Sequence, residues 1–149
     1  MIIFLDFDGV LHAIGPKAID SSKTYFSRLP IFETWLREHA QVNVVISSSW
    51  RDTMELAKLR GFFSADIRHR VIDKCPLVAH EPKPEFWRHA EIKAWIEGSG
   101  YSGPWLALDD AVHEFPVNFA PLVICKPHIG IDEKVINLLT EKVESCLNM

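Results

Sequence analysis

Short apolar runs alternate with amphipathic segments along the chain, and this alternation predicts a layered α/β fold. The apolar runs are IIFL at the start of the chain, then VNVVI, WLAL and LVICK. Their β-branched and large apolar side chains are typical of strands buried on both faces of a parallel sheet. Between them, segments such as IFETWLREHA after Pro30 and DEKVINLLTEKVESCL near the end carry apolar residues at helical spacing.

Weaker patterns complete the predicted order of elements. TMELAKLRGFF is predicted as a helix, IRHRVIDKCP as an extended segment, and 84–96 as a helix that the glycines of GSGYSG terminate. Residues 12–29 contain Gly15, Pro16 and a polar serine-rich cluster, which indicates an irregular excursion or flap. Strands that alternate with helices predict a three-layer Rossmann-like α/β fold, with a mostly parallel central sheet and helices on both faces.

Length and composition narrow the class of protein. The chain has 149 residues, the size of one typical domain, so we expect a single domain over residues 1–149. No apolar run approaches the ~20 residues of a membrane span and no basic region precedes the first run, so neither a transmembrane helix nor a signal peptide is expected. The three cysteines are widely spaced and odd in number, which favours reduced thiols in a cytoplasmic protein.

The net charge of −4 gives no general indication of a nucleic-acid-binding surface, because such binding relies on many Lys and Arg side chains. A local basic patch remains compatible with this charge. Nucleic acid is therefore one of several substrates or partners that the composition allows.

Polar residues follow three of the predicted strands at their C-terminal ends. Asp6 and Asp8 close the first run, Ser47 begins the SSSWR stretch after the second, and Asp109 and Asp110 close the third. Because the carboxyl ends of parallel strands meet at one edge of a sheet, we expect these side chains to form one site. Clustered carboxylates repel one another unless a cation neutralises them, and Mg²⁺ prefers oxygen ligands together with a substrate phosphate. The pattern predicts magnesium-dependent phosphate chemistry.

The residue types at this edge suit covalent phosphoryl transfer. One carboxylate of the DFD sequence can attack phosphorus while the other protonates the leaving oxygen and later deprotonates water. Ser47 is the candidate phosphate binder, and Ser48 either shares this role or caps the helix that follows. Arg88, near the start of a predicted helix, is the candidate cation beside the phosphate, with Lys83 as the alternative.

Three further residues are candidates for the substrate rim of the site. His12 lies close to Asp8 in sequence, and Trp50 follows the serine cluster. Arg51 either contacts substrate phosphate or pairs with Asp52 or Glu55 on the surface. A purely structural role in the flap or in a turn is an equal alternative for His12.

The order of these motifs resembles that of the haloacid dehalogenase-like (HAD) phosphatase superfamily. DFDGVL is followed by an apolar strand ending in serine, a basic residue before EIKAWI, and a strand ending in DD, so the resemblance covers almost the whole chain. It implies that Asp6 is the nucleophile and that Asp8 is the acid/base and a backbone-carbonyl magnesium ligand. It also implies that Ser47 binds phosphate and that Asp109 and Asp110 complete the magnesium site.

The resemblance is to small members of the superfamily without a cap, because the intervals between the motifs are too short for a separate cap domain. It implies a phosphomonoester hydrolase that acts through an aspartyl-phosphate. Since small-molecule sites usually enclose their ligand, an open site favours a large substrate such as a nucleic-acid end or a phosphoprotein. The alternative is a non-catalytic or regulatory binding module that retains the fold and the metal site.

Overall fold

The computed structural model describes residues 1–18 and 24–148, and its centre is a five-stranded parallel sheet. The strands are β1 (Ile2–Leu5), β2 (Asn43–Ile46), β3 (Val71–Lys74), β4 (Trp105–Asp109) and β5 (Leu122–Ile124). They are arranged in the order β3-β2-β1-β4-β5, so β1 pairs with β2 on one side and with β4 on the other. The prediction of a Rossmann-like α/β fold is confirmed, and no separate cap accompanies the sheet within the described ranges.

Side chains of β1 alternate between two apolar cores, one on each face of the sheet. The helices that cover these cores are α1 (Leu29–Glu38), α2 (Leu56–Arg60), α3 (Trp87–Ser99) and α4 (Glu133–Leu147). Ile3 and Leu5 belong to the larger core, to which α1, α2 and α4 contribute. Ile2 and Phe4 belong to the smaller core, to which α3 contributes. Burial on both faces explains why the strand sequences are continuously apolar.

Polar contacts hold the helices of the larger core in place. The indole Nε1 of Trp35 in α1 donates to Oγ1 of Thr140 in α4 at 3.0 Å. At the start of α4, the carboxylate of Asp132 accepts a hydrogen bond from the backbone N–H of Val135, a typical N-terminal cap.

None of the described helices combines the length and the apolar character of a membrane span.

Two elements differ in extent from their sequence predictions, for reasons of tertiary packing. The helix predicted over TMELAKLRGFF is confined to α2, because Phe62 and Phe63 leave the helical path and pack edge-on or tilted against Phe7. The helix predicted from residue 84 begins at Trp87. Prolines at 82 and 84 favour extended backbone before it, and Glu114 accepts a hydrogen bond from the backbone N–H of Arg88 in its first turn.

The extended segment predicted around IRHRVIDKCP becomes the edge strand β3, preceded by a short 3-10 turn over Arg68–Arg70. The guanidinium of Arg70 is buried and donates to the backbone carbonyls of Leu36, His39 and Val42. These carbonyls lie at and after the C-terminal end of α1, where backbone acceptors have no partner within the helix. Arg70 thereby joins the start of β3 to α1.

Candidate active site

The carboxyl edge of the sheet brings together three of the four predicted acidic residues, Asp6, Asp109 and Asp110. Asp6 follows the central strand β1, and its backbone N–H donates to the carbonyl of Leu108 in β4 at 3.0 Å. On the other side, the backbone N–H of Ser47 donates to the carbonyl of Leu5 at 2.9 Å. The strand ladder therefore fixes Ser47, Asp6 and the end of β4 side by side.

Three of the carboxylates form a compact cluster. Asp6, Asp109 and Asp110 each offer an oxygen, and these oxygens all lie within 4.8 Å of one another. Asp6 and Asp109 are buried and Asp110 is half-buried. Burial, followed by the neighbouring charge of Asp6, raises the pKa of Asp109 to about 7. Burial and then the hydrogen bond and charge of Asp6 raise the pKa of Asp110 to about 8.

Close approach of the backbone at Gly9 makes room for this cluster. Gly9 has φ +76°, and a Cβ built on it would lie 2.2 Å from Oδ2 of Asp110. A side chain at this position would therefore displace a carboxylate of the cluster. Glycine is therefore favoured at this position of the DFDG sequence for two reasons: the positive φ is unfavourable for other residues, and a side chain would clash with Asp110.

Arg88, rather than Lys83, lies beside the cluster. Its Nη1 is 3.4 Å from Oδ1 of Asp6 and 3.6 Å from Oδ2 of Asp109, and it also donates to the backbone carbonyl of Ser47. Although burial opposes the charge, Asp109 and Asp6 raise the pKa of Arg88 above its ordinary value. Lys83 is exposed and lines a different pocket together with His113.

The two serines after β2 have different environments. Ser47 is buried, and its Oγ has no hydrogen-bond partner within the described part of the chain. Ser48 is also buried, but its Oγ accepts a hydrogen bond from the backbone N–H of Trp50 at 3.3 Å. Ser48 therefore caps the 3-10 turn over Ser49–Asp52, whereas Ser47 retains a hydroxyl free for a ligand.

Asp8 lies outside the acidic cluster and is held by two side chains. His12 Nε2 is 2.7 Å from Oδ1 of Asp8, and the indole Nε1 of Trp50 donates to the same oxygen at 3.1 Å. The side chain of Asp8 remains 41% exposed. Both donors therefore orient the carboxylate without closing it off from solvent.

Two of the three candidate rim residues, His12 and Arg51, are buried. His12 is 1% exposed and contacts Asp8 from the interior of the protein, whereas Trp50 is half-buried. Arg51 is 4% exposed and donates to the carboxylate of Glu91 and to the backbone carbonyls of Ser47, Ser48 and Cys75. Of the predicted partners on the surface, Asp52 lies 3.7 Å from the Arg51 Nη1, but Arg51 is buried and its closer partner is Glu91, 40 residues away in the sequence.

The predicted flap over 12–29 lies partly outside the described residues. In its described part, the ring of Phe26 stacks on Phe62 with centroids 4.6 Å apart and packs edge-on against Trp50. Tyr25 is 69% exposed and contacts the rings of His12 and Trp50. This segment forms an aromatic wall beside Asp8.

Sequence reasoning missed the opposite wall of the site. The segment after β3 and the first turn of α3 border a cavity of about 310 Å³, which Arg88 and Glu91 also line. Glu91 lies one helical turn after Arg88, and its Oε1 is 3.9 Å from the Arg88 Nε. The i, i+3 spacing of Arg88 and Glu91 on a predicted helix indicates that their side chains are neighbours. The sequence contains no comparable pattern that places Arg51 beside them.

The residues of the cluster fit a hard divalent cation. Asp6, Asp109 and Asp110 offer carboxylate oxygens, the donor type that Mg²⁺ prefers, and a buried oxygen of Asp109 has no hydrogen bond from any described residue. The charge of a cation would offset the burial and mutual repulsion that raise the pKa values of Asp109 and Asp110.

Within residues 1–18 and 24–148, a five-stranded parallel sheet carries this acid-rich carboxyl edge without a separate cap, an architecture consistent with a small HAD-like protein. The chain belongs to the family described as the HAD domain in Swiss Army Knife RNA repair proteins, whose family model matches residues 2–136. No curated protein and no solved structure matches the chain significantly. At the level of the family, the protein is a HAD-like phosphoesterase.

Proposed function

We propose that this protein is a magnesium-dependent phosphomonoester hydrolase that acts on phosphorylated RNA ends through an aspartyl-phosphate at Asp6. The observation that carries the proposal is the arrangement around Asp6. A guanidinium and an unpartnered buried hydroxyl, from Arg88 and Ser47, border a cluster of carboxylates. Carboxylates suit a cation, whereas the arginine and the hydroxyl suit the oxygens of a phosphate that the cation also binds.

The residues divide the reaction into two steps. A carboxylate oxygen of Asp6 attacks phosphorus and forms an acyl-phosphate bond, while the ester bond to the leaving oxygen breaks and that oxygen takes a proton from Asp8. Water then attacks the phosphorus of the aspartyl-phosphate and gives its proton to Asp8. Inorganic phosphate leaves and the Asp6 carboxylate is regenerated.

Each group contributes to charge stabilisation or orientation. Arg88 neutralises charge on the phosphate oxygens, and Ser47 Oγ donates a hydrogen bond to one of them. Since His12 and Trp50 both bind Oδ1 of Asp8, we assign proton exchange to Oδ2. A magnesium ion held by Asp6, Asp109, Asp110 and the carbonyl of Asp8 would supply further neutralisation of the phosphate.

The openness of the site and the family support this substrate class. No described residues form a cap that could enclose a small metabolite, and the family is described as a domain of RNA repair proteins. A phosphate at the end of an RNA chain protrudes from its polymer, so it can enter an uncapped site.

The test is hydrolysis of RNA oligonucleotides with 5′- or 3′-phosphates and of p-nitrophenyl phosphate, with Mg²⁺ and with EDTA. We expect magnesium-dependent phosphate release by the wild type and a loss of at least a hundredfold in Asp6→Asn. Asp66→Asn is the matched control, because this exposed carboxylate pairs with Arg37 at the end of α1. Release of phosphate by Asp6→Asn at the wild-type rate would contradict the mechanism, whereas magnesium-dependent phosphate binding without turnover would support a binding module.

A further inference from the structure

The cavity of about 310 Å³ adjoins the proposed phosphate site directly. Arg88 lines the cavity and also lies 3.4 Å from Asp6, so the same guanidinium borders both spaces. Ser49, two residues after Ser47, lines the cavity from the β2 side. A group attached to a phosphate at Asp6 could therefore extend past Arg88 into this space.

The cavity has a ring surface suited to a planar ligand. Trp87 is half-buried at the first position of α3, and its indole packs against the ring of His80 with centroids 4.9 Å apart and an interplanar angle of 56°. Leu77, on the same wall, is 62% exposed. A nucleobase stacked on Trp87 would cover apolar surface that the chain leaves open.

The charges of the cavity favour the uncharged part of a nucleotide. Its lining contains three carboxylates, those of Asp52, Glu91 and Glu114, against the guanidiniums of Arg51 and Arg88, so a phosphate would remain near Arg88. Glu91 is paired with Arg51, which also lies 3.7 Å from Oδ1 of Asp52, and Oε2 of Glu114 accepts the backbone N–H of Arg88. The other oxygens of Asp52 and Glu114 can accept hydrogen bonds from exocyclic amino groups of bases, as acidic side chains do with the N4 amino group of cytosine.

The size of the cavity limits the ligand further. Its volume lies at the lower end of the ~300–1,000 Å³ of small-molecule sites, which suits one nucleoside rather than a base pair. We propose that this cavity binds the terminal nucleoside of the substrate, with its base on Trp87 and a preference for bases that carry an amino group. The inference rests on the proposed function and specifies its substrate further: the RNA end is single-stranded, and its terminal base affects the rate.

The experiment compares kcat/KM for short single-stranded RNA ends with kcat/KM for p-nitrophenyl phosphate, and the readout is their ratio. Trp87→Leu tests the cavity, and Tyr25→Leu is the matched control, because Tyr25 is an exposed ring on the flap side of Asp8. The RNA ends carry A, C, G or U at the phosphorylated nucleotide, and a fifth substrate has an abasic terminal nucleotide. Asp52→Asn is assayed on the A and U ends.

We expect Trp87→Leu to lower the ratio roughly tenfold for ends with a base, the size of one lost base–aromatic stack, and not for the abasic end. In the wild type, the abasic end should show the same loss, and ends with A, C or G should exceed the end with U. Asp52→Asn should reduce the preference for A over U. Tyr25→Leu should leave the ratio unchanged.

An unchanged ratio in Trp87→Leu would overturn the inference while the proposed function stands. If both activities fell equally, Trp87 would act through Arg88, and if the ratio fell only in Tyr25→Leu, the base would lie on the flap side of Asp8 instead. A wild type that hydrolyses p-nitrophenyl phosphate but no RNA end would overturn the RNA substrate and this inference together. Absence of turnover on every substrate would overturn the enzymatic proposal itself.

Discussion

His12 connects Asp8 to the flap, because Nε2 of His12 bonds to Asp8 while its Nδ1 accepts a hydrogen bond from the backbone N–H of Phe26 at 3.3 Å. A ring nitrogen that accepts from an N–H carries no proton of its own. The neutral ring is thus held in the tautomer whose Nε2–H donates to Asp8. We expect His12→Ala to lower kcat for phosphate release about tenfold with little change in KM, because Asp8 loses an orienting donor.

The matched variant is His12→Gln, whose amide nitrogen can reach the position of the imidazole Nε2. It should recover part of the lost kcat in the same steady-state assay. Equal losses in the alanine and glutamine variants, with both proteins folded by circular dichroism, would argue against a positioning role for His12.

Gly9 provides a test of the packing around Asp110. Gly9→Ala should lower the free energy of unfolding by about 1–3 kcal/mol and weaken magnesium binding, because the new methyl group meets the Asp110 carboxylate. Gly15→Ala is the control, since Gly15 has a similar φ of +86° but no atom within 4 Å of the new Cβ. Urea unfolding and a magnesium titration measure both effects, and equal behaviour of the two variants would leave only backbone strain as the cause.

Magnesium should stabilise the folded protein through the acidic cluster. We expect Mg²⁺ to raise the Tm of the wild type relative to EDTA, because a ligand that binds only the folded state shifts the unfolding equilibrium. Asp110→Asn should have a higher Tm than the wild type in EDTA and should gain less from Mg²⁺, since one repelling, half-buried carboxylate is removed. Glu97→Gln, at an exposed position of α3, should respond as the wild type does.

Arg51 and Glu91 form a buried pair whose separation should be costly. Arg51→Met leaves the buried Glu91 carboxylate with only the more distant Arg88, 3.9 Å away, and should cost about 3–5 kcal/mol in the free energy of unfolding. The double variant Arg51→Met/Glu91→Leu should be more stable than Arg51→Met, because the buried carboxylate that lost its hydrogen-bonded partner is gone. Denaturant unfolding of the wild type, the two single variants and the double variant gives the coupling free energy between Arg51 and Glu91. Additive changes in the free energy of unfolding would contradict this prediction.

Cysteine reactivity should follow burial. Burial raises the pKa of Cys75 to about 12, so almost no thiolate exists at this residue between pH 7 and 9, and its side chain is 2% exposed. Cys125 is equally buried, with a pKa that is raised for the same reason, whereas Cys146 is half-buried. Iodoacetamide at pH 8 should therefore modify Cys146 first in the native protein and all three cysteines in denaturant, as mass spectrometry of peptides would measure.

Much of the fold was predictable because strands buried on both faces of a parallel sheet have continuously apolar sequences. The apolar runs of β1, β2, β4 and β5 coincide with strands, and the extended segment contains β3. The extent of α2 was not predictable, because Phe62 and Phe63 leave the helix for partners far away in the chain. These aromatic contacts stabilise the fold by more than the helix propensity of Phe62 and Phe63 would stabilise a longer α2.

For the site, topology was the predictable part. Strand-end residues such as Asp6, Ser47 and Asp109 meet because the strands are parallel and adjacent, and Arg88 joins them from α3. The catalytic and metal-binding roles of these residues stay predictions. Contacts such as that of Trp50 with Asp8 were not accessible to sequence reasoning, since they depend on side-chain directions in irregular segments.

The last helix has a practical consequence for any shortened form of this protein. The family match ends at residue 136, within the first turn of α4, yet Leu139, Thr140 and Val143 lie beyond that point. Leu139 and Val143 fill the larger core, and Oγ1 of Thr140 accepts the hydrogen bond from Trp35. A fragment cut at the boundary of the family match would therefore expose one side of the sheet, so a shortened protein should extend through Leu147 even though the motifs of the site end much earlier.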